Sequence, residues 1–140
     1  MTFAFPDTEF GARAARRLSE DVLAWLTVVD GAGTPQPSPV WFLWDGSSVL
    51  VYSHGAAKRL GHLRAHPRVS LHLQADGAGD DIVVLTGEAE IAPDEPPAAQ
   101  NPAYLAKYGD RITRGWRTAE DFASIYSVPV RIRPRRLRGF

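Results

Sequence analysis

The most informative absence in this sequence of 140 residues is cysteine, of which it has none. Without cysteine the chain has no disulfide scaffold, no thiolate metal site and no cysteine nucleophile. Disulfides belong to oxidising compartments, so their absence fits a cytosolic protein. We therefore expect a cytoplasmic location.

Charge of one sign and long apolar runs are also lacking. Sixteen basic and sixteen acidic residues cancel, so bulk charge gives no attraction to nucleic acid or to an anionic membrane. No apolar run is long enough for a signal peptide or a bilayer span. The sequence thus predicts no nucleic-acid partner and no membrane partner.

The length and the hydrophobic content of 44% predict one domain, residues 1–140, with a real core. One stretch has a biased composition, residues 92–102 (APDEPPAAQNP), and it contains four prolines. Because a strand pattern still follows it, we interpret this stretch as a loop inside the domain.

Hydrophobic periodicity predicts a mainly β protein with short helices, an α+β chain with six strands in a largely antiparallel sheet. Closing that sheet into a small barrel would remove its exposed edges. The predicted strands are 22–29, 40–44, 49–53, 69–74, 82–91 and 127–132, and the predicted helices are 8–18, 56–65, 103–108 and 118–125.

Several local signals refine this prediction. Asp45-Gly46 indicates a hairpin with a type I′ turn, Gly87 a bulge, and Thr118 a helix N-cap. Residues 110–118 are interpreted as a loop, because they look too polar to be core.

The strand 49–53 ends in a group of residues suited to an anion. After Tyr52 and Ser53 the chain runs through Gly55 into a short helix that carries Lys58 and Arg59. Hydroxyls, free backbone N–H groups and positive charge at one place suit a phosphate. A tryptophan-rich strand beside it could hold a flat ring, so these residues together predict a site for a phosphorylated aromatic cofactor.

Each of these signals also has a simpler interpretation. Lys58 and Arg59 could be solvated helix residues, and tryptophans are more often core than cofactor contacts. The odd spacing of Trp41 and Trp44 places them on opposite faces of a strand, and we favour Trp41 as the one near the site.

Histidine and arginine clusters raise two further possibilities. His62 and His66 have the i, i+4 spacing of metal ligands, but Pro67 follows at once and no cysteine joins them, so we predict no metal site. His62 is left either as a phosphate contact or as an exposed polar residue. The C-terminal arginines (Arg131, Arg133, Arg135, Arg136 and Arg138) could suggest nucleic acid. An outward row on an edge strand or at a subunit boundary, pairing with acidic loops, is the simpler account.

The order of these elements resembles the split β-barrel oxidoreductases that use flavin or deazaflavin, the relatives of pyridoxamine 5′-phosphate oxidase, and most of all their actinobacterial deazaflavin-dependent branch. The resemblance covers nearly the whole chain and depends on the order and spacing of degenerate motifs. One departure is His62, which stands where many relatives have asparagine. The motifs are Pro37-Ser38-Pro39-Val40-Trp41-Phe42, Val51-Tyr52-Ser53, Lys58-Arg59, Gly61-His62-Leu63-Arg64, His66-Pro67-Arg68-Val69 and Tyr126-Ser127-Val128-Pro129-Val130-Arg131 with Arg133-Pro134.

The resemblance implies a six-stranded split barrel that forms a homodimer with the cofactor near the subunit interface. The residues that it implies around the cofactor ring are Ser38, Val40, Trp41 and Phe42, and those around its phosphate end are Tyr52, Ser53, Lys58 and Arg59. Trp116 and Arg117 lie in a region that borders the active site in relatives, often that of the neighbouring subunit. Their simpler interpretation is a surface loop with one packed tryptophan.

The function implied is hydride transfer between the deazaflavin coenzyme F420 and a small conjugated substrate. The sequence has no nucleophile elbow, Walker loop, Rossmann fingerprint or obvious carboxylate pair, which fits a protein whose cofactor carries the chemistry. Tyr52 and Ser53 are weak candidates for a proton donor. Two alternatives remain open: an FMN-dependent oxidase or flavin reductase of the same fold, and a non-catalytic carrier or sensor of the coenzyme.

Overall fold

The computed structural model describes residues 3–140. The first helix, α1 (Glu9–Glu20), is capped by Thr8, whose side-chain oxygen accepts a hydrogen bond from the Gly11 N–H at 3.0 Å. Its apolar stripe buries Ala14 and Leu18 against the sheet, while Arg13 and Arg17 reach polar partners on the surface.

The sheet has seven strands, so the prediction of six was wrong. The strands are β1 (Ala24–Val29), β2 (Pro35–Val40), β3 (Leu43–Trp44), β4 (Val49–Ser53), β5 (Arg68–Leu73), β6 (Val83–Ile91) and β7 (Val128–Gly139). The predicted strand 40–44 is divided between β2 and β3, and most of β2 was not expected to be a strand because three of its six residues are proline.

Proline is tolerated in β2 because this strand lies at an edge of the sheet. It pairs with β1 alone, from Pro35 opposite Val29 to Val40 opposite Ala24. Pro35, Pro37 and Pro39 alternate along the strand, so their nitrogen atoms, which carry no hydrogen, can all face away from β1. The intervening residues then supply the N–H groups that the ladder needs.

The strand order is β2-β1-β5-β6-β7-β4-β3, and every pair is antiparallel, which confirms the predicted mainly β, antiparallel architecture. The two edge strands, β2 and β3, are consecutive in the chain and joined by Trp41 and Phe42 alone. A link of two residues forces the edges together, so the sheet curls into a half-barrel with a split between β2 and β3.

Two local predictions for the sheet have different outcomes. The bulge at Gly87 is confirmed by a register shift between Thr86 and Gly87, where a side chain would meet the Arg133 carbonyl oxygen at 2.1 Å. The hairpin after Trp44 is present, but its type I′ turn was wrong. Of the residues in this turn, only Gly46 has a positive φ, of 93°, whereas a type I′ turn needs two. The strands are instead joined by a four-residue loop, which the Asp45 carboxylate closes by accepting hydrogen bonds from the Ser47 and Ser48 N–H groups.

The helices extend and shift the predicted ones. Helix α2 (Arg59–Ala65) begins three residues later than predicted, so Lys58 immediately precedes it. A 3₁₀ turn (Ala98–Gln100) leads into α3 (Pro102–Gly115), and α4 (Ala119–Ile125) is capped by Thr118 as predicted. The prediction of a loop over 110–118 was wrong for residues 110–115, because Ile112 continues the buried stripe of Tyr104 and Tyr108 at i, i+4, i+8; residues 116–118 do connect the two helices.

Two hydrophobic clusters lie on opposite faces of β4, whose five residues are all buried. Val49 and Val51 point into the barrel core, and Leu50 and Tyr52 point into the aromatic cluster. The barrel core contains Ala14, Leu18, Ala24, Leu26, Val28, Val40, Phe42, Val49, Val51, Leu60, Leu63, Val69, Leu71, Leu73, Val83, Leu85, Ala89, Val130 and Ile132. The aromatic cluster contains Leu50, Tyr52, Ala98, Tyr104, Tyr108, Ile112 and Phe122, with Trp41, Trp116 and Tyr126 packed against them.

The last strand, β7, is longer than predicted and lies between β6 and β4, so its arginines are not on a sheet edge. Arg131 is half-buried and bridges two acidic loop residues, Asp45 at 3.0 Å and Glu95. Farther along the strand, exposed Arg133 and Arg135 pair with glutamates of β6. Within residues 3–140, no helix is both long and apolar enough to cross a bilayer.

Candidate functional site

A cavity of about 260 Å³, here called the aromatic cavity, lies beside β4 and beneath α3 and α4. The end of β2, the split after it and the end of β4 form one wall, and the helices form the other. Its lining residues are Leu23, Pro39, Val40, Trp41, Tyr52, Ser53, His54, Arg59, Tyr104, Trp116, Phe122 and Tyr126.

Aromatic rings hold the walls of this cavity in place. The Trp41 ring leaves the split between β2 and β3 and stacks on Tyr108, with centroids 4.7 Å apart and planes 5° apart. Trp116 meets Phe122 edge to face at 4.9 Å. Such contacts add roughly 0.5–1.5 kcal/mol per pair beyond area burial, and each ring is stiff. The walls are therefore rigid and mostly apolar.

Tyr52 and Asn101 fix the wall where β4 meets α3. The Tyr52 hydroxyl donates to the Pro96 carbonyl at 2.7 Å and accepts from the Asn101 side-chain amide at 3.1 Å. The carbonyl oxygen of the same Asn101 side chain caps α3 through the Tyr104 N–H. Burial is the main reason that the pKa of Tyr52 is raised. The Tyr52 hydroxyl is thus committed to structure on both sides.

The segment after β4 is tied to the end of α4. Gly55 donates its N–H to the Ile125 carbonyl at 3.1 Å, and the Ala56 N–H donates to Nδ1 of His54. His54 then lies edge to face against Tyr126, with ring centroids 5.8 Å apart. The Ser53 hydroxyl donates to the His54 carbonyl at 3.2 Å. These contacts bring one imidazole to the rim of the cavity.

Arg59, the first residue of α2, is the only lysine or arginine among the described residues that line the cavity. Its side chain is half-buried, and burial lowers its pKa, while the nearby Tyr126 acts in the opposite direction. Within residues 3–140 its guanidinium makes no hydrogen bond and no ion pair with a carboxylate. A partly desolvated cation of this kind favours an anion from outside the chain.

Arg59 also lines a second, more open cavity of about 540 Å³, here called the open groove. Lys58 and His62 come from α2 and the residues before it, and Ser38 comes from β2. The groove also contains Asp30, whose carboxylate accepts hydrogen bonds from the Ala32 and Thr34 N–H groups and from Gln36. Those hydrogen bonds lower the pKa of Asp30, so it stays ionised and is saturated by its own loop.

The structure divides the residues proposed from the sequence between these two cavities. The aromatic cavity receives Val40, Trp41, Tyr52, Ser53 and Arg59, together with Trp116. The open groove receives Ser38, Lys58 and, again, Arg59. Trp41 and Trp44 lie in different clusters, as their odd spacing predicted, and Trp41 is the one at the cavity.

Two proposed residues line neither cavity. Phe42 is fully buried in the barrel core; its N–H donates to the Tyr108 hydroxyl at 2.9 Å, and its carbonyl accepts from Lys107 at 2.9 Å. Arg117 is exposed in the short connection between α3 and α4. Among residues 3–140, no three histidine or acidic side chains come together as metal ligands would.

Tyr104, Phe122 and Tyr126 line the cavity but were not identified from the sequence as site residues. They were missed because residues 110–118 were interpreted as a loop, which hid the packing of α3 against α4. The spacing of Tyr104, Tyr108 and Ile112 was the available signal, since three apolar or aromatic residues four apart mark a helix face. His54, which also lines the cavity, was not identified from the sequence either.

Comparisons with solved structures place this fold among known ones. An F420 reductase is 23% identical, with a TM-score of 0.68 over 88% of this chain and 94% of that chain. The conserved hypothetical protein Rv2991 of Mycobacterium tuberculosis is 23% identical, with a TM-score of 0.71 over 99% and 88%. The heme storage protein HutZ of Vibrio cholerae is 14% identical, with a TM-score of 0.64 over 94% and 95%. At these identities the likeness is one of fold.

The sequence comparison is more decisive. No curated protein matches the chain significantly. Residues 10–136, however, match the family described as pyridoxamine 5′-phosphate oxidase. That match spans every strand and helix around both cavities except the first residue of α1 and the end of β7. The chain therefore belongs to the pyridoxamine 5′-phosphate oxidase family.

Proposed function

We propose that this protein is an oxidoreductase that binds the deazaflavin coenzyme F420 and transfers hydride between it and a small conjugated substrate. The observation that carries the proposal is Arg59, a half-buried cation without an anionic partner, placed where the aromatic cavity meets the open groove. Arg59 therefore connects the open groove, which we assign to an anion, with the aromatic cavity, whose walls are flat rings.

The anionic end of the coenzyme is assigned to the open groove. A phosphate there would gain charge-assisted hydrogen bonds from Arg59 and Lys58, each worth about 1.5–3 kcal/mol. Ser38 adds a hydroxyl to the lining of the groove. Arg59 is already partly desolvated in the folded chain, whereas Lys58 is exposed. Binding an anion at Arg59 therefore costs less additional desolvation, and we expect Arg59 to contribute more binding free energy than Lys58.

The reacting rings are assigned to the mouth of the aromatic cavity beside Arg59, which leaves the interior of the cavity for the substrate. Val40, Trp41 and Tyr52 offer an apolar wall, and the helices exclude water from the far side. When bound, the coenzyme supplies the hydride; the residues of this chain orient the rings and keep the site dry. This division of labour agrees with a site that holds no catalytic triad in the described residues.

The choice of F420 over FMN is the finer part of the proposal. A phosphate site accepts either cofactor, and the resemblance to the deazaflavin branch together with an F420 reductase of similar fold favours F420. FMN is the alternative. The substrate is expected to be a small molecule, and the cytoplasmic location remains a prediction from composition.

We also propose that the active form is a homodimer. The open groove lies beside β2, an exposed edge strand, and is too shallow to enclose a cofactor alone. A symmetric partner would supply the missing wall. Sedimentation equilibrium should give twice the monomer mass with and without coenzyme. A monomer that binds coenzyme at full affinity would contradict this assignment.

The central test is a side-by-side titration of the protein with F420 and with FMN, in which binding is measured by fluorescence and by calorimetry. We expect F420 to bind more tightly. Arg59→Ala should weaken its binding about tenfold to a hundredfold, the equivalent of one charge-assisted bond, and Lys58→Ala should weaken it less. Arg64→Ala is the matched control, because Arg64 is an exposed arginine of the same helix that lines neither cavity.

Equal affinity in wild type and Arg59→Ala would refute the phosphate assignment. Tighter binding of FMN would move the protein to the flavin alternative. Turnover separates an enzyme from a carrier: reduced F420 should be oxidised in the presence of a suitable acceptor. The aromatic cavity supports the enzyme, because Trp116 lies on its wall and still leaves about 260 Å³ free.

A further inference from the structure

One tyrosine hydroxyl in the aromatic cavity has no partner. Tyr104 is only 1% exposed, yet its hydroxyl makes no hydrogen bond within residues 3–140. In the same part of the chain, every fully occluded side-chain nitrogen or oxygen does have a hydrogen-bond partner. The Tyr104 hydroxyl is therefore not occluded, and the space that it contacts is the cavity that the residue lines.

The hydroxyls of the two neighbouring buried tyrosines, Tyr108 and Tyr52, do have hydrogen-bond partners. Tyr108, one helical turn later, accepts from the Phe42 N–H at 2.9 Å and donates to the Val22 carbonyl at 2.7 Å. The Tyr52 hydroxyl is bound on both sides, as described above. Three buried phenols thus share one cluster, and among them Tyr104 alone has a hydroxyl with no hydrogen-bond partner in residues 3–140.

Electrostatics make Tyr104 a lasting donor. Burial raises the pKa of its phenol well above the ordinary value, and the neighbouring Tyr108 and Tyr52 act in the same direction. The hydroxyl consequently keeps its proton at any physiological pH. It can donate a hydrogen bond to an oxygen acceptor, and it is a poor source of a proton for chemistry.

The remaining walls define what shape of molecule could reach this donor. Trp41, Trp116 and Phe122 are rigid rings that leave a confined apolar space. A flat ring system would bury its faces there, and only an acceptor oxygen would match the single buried donor. A buried donor left without a partner by the wrong ligand disfavours that ligand.

We propose that Tyr104 is the specificity-determining hydrogen-bond donor of the aromatic cavity, and that the cavity takes planar conjugated compounds that carry a carbonyl oxygen. This inference rests on the proposed function in one respect, since it assigns the cavity to the substrate of that reaction. The ligand-binding claim itself needs no coenzyme and can be measured without one.

The test compares two ligands of similar shape, 1,4-naphthoquinone, which has carbonyl oxygens, and naphthalene, which has none. Binding to the coenzyme-free protein is followed by tryptophan fluorescence quenching and confirmed by calorimetry. Wild type should prefer the quinone. Tyr104→Phe should reduce that preference roughly twofold to tenfold, the usual range for one neutral hydrogen bond, and should leave naphthalene affinity unchanged.

Tyr126→Phe is the control, because Tyr126 also lines the cavity but is half-exposed, where water competes for its hydroxyl. Loss of the preference in Tyr126→Phe but not in Tyr104→Phe would overturn the assignment of Tyr104. Equal affinity of wild type for both ligands would overturn the ligand class.

The coenzyme titration keeps this inference separate from the proposed function. Tyr104→Phe should bind F420 as wild type does, because the coenzyme phosphate is assigned to Arg59 and the coenzyme rings to the mouth of the cavity rather than to its interior. If F420 fails to bind at all, the proposed function fails, while the preference for a carbonyl ligand is still measured independently. If F420 binds and the preference is absent, only the inference about Tyr104 fails.

Discussion

The barrel core and the aromatic cluster lie on opposite sides of β4 and are built from different kinds of side chain. The barrel core is filled mainly by branched aliphatic residues, which adapt to irregular space and pack densely. The aromatic cluster has fewer, larger and stiffer members, and flat rings that meet edge to face cannot fill every gap between them. The first cluster closes the barrel, whereas the second holds a cavity open.

This difference separates stability from function within one small sheet. Strand β4 contributes alternate residues to each side, so a single strand anchors the barrel and forms the cavity wall. Trp41 and Phe42, adjacent in the split, separate in the same way: Phe42 enters the barrel core and Trp41 enters the aromatic cluster. Substitutions on the two sides should therefore have different consequences.

The largest effect is expected from Leu71→Ala in the barrel core. Leu71 is 1% exposed at the middle of β5, between Leu26 and Leu85 on the neighbouring strands. Truncation leaves a cavity, and we expect the free energy of unfolding to fall by about 2–5 kcal/mol in denaturant titrations. F420 affinity of the folded variant should not change, since Leu71 lines neither cavity.

Ile125→Ala is the matched control, because it removes the same number of carbon atoms at a position that is 40% exposed. Its cost should be well below that of Leu71→Ala. Similar costs for the two variants would mean that the barrel core is loosely packed and that the contrast between the clusters is false.

Much of the barrel side was predictable from the sequence. Alternation identified most of the strands, because strands buried on one face repeat their apolar residues every second position. Gly87 and Thr118 were correctly interpreted, since a bulge and an N-cap each depend on one local residue. Strand β2 was not predicted, because its three prolines argue against a strand inside a sheet. Its position at the edge, where proline is tolerated, depends on the rest of the sheet and cannot be read from the local sequence.

The aromatic side was harder to predict because its geometry comes from distant elements. The sequence singled out Trp41, Tyr52 and Arg59, which the structure brings to one cavity. It did not identify Tyr104 as a site residue, since polar residues around Ile112 made the second half of α3 look like a loop and hid its packing against α4. Nor can any local pattern show that a hydroxyl lacks a partner: Tyr104 and Tyr108 are alike in sequence and differ only in what lies opposite them.

A second prediction uses these two tyrosines of α3 to sharpen the comparison. Tyr108→Phe removes the acceptor of the Phe42 N–H and the donor to the Val22 carbonyl, both in a mostly buried region. We expect it to lower the free energy of unfolding by about 1–3 kcal/mol. Tyr104→Phe removes a hydroxyl with no protein partner and should leave stability nearly unchanged.

Thermal and denaturant unfolding of both variants, measured without ligand, decide the matter. The two substitutions delete the same atom one helical turn apart, so helix propensity and ring packing are matched. If Tyr104→Phe were as destabilising as Tyr108→Phe, the Tyr104 hydroxyl would have a structural role that its contacts do not show.

The smallest effect is expected at the boundary of the two clusters, where Lys107 lies over the rings of Phe42 and Tyr108 at 4.0 and 5.3 Å. Burial lowers the pKa of Lys107 from 10.5 to about 8. Between those values the unfolded chain binds more protons than the folded one, so the free energy of unfolding should rise with pH. After allowance for partial exposure, we expect a rise of roughly 1 kcal/mol between about pH 8 and pH 10.

Lys107→Met isolates this effect, because it keeps an apolar chain of similar length and removes the titrating group. The stability of wild type relative to Lys107→Met should increase across the window, while changes from the buried tyrosines cancel between the two proteins. Lys58→Met, the same substitution at the exposed lysine, controls for loss of one charge. Parallel profiles for wild type and Lys107→Met would show that the Lys107 ammonium stays hydrated, so that the boundary between the barrel core and the aromatic cluster is open to water.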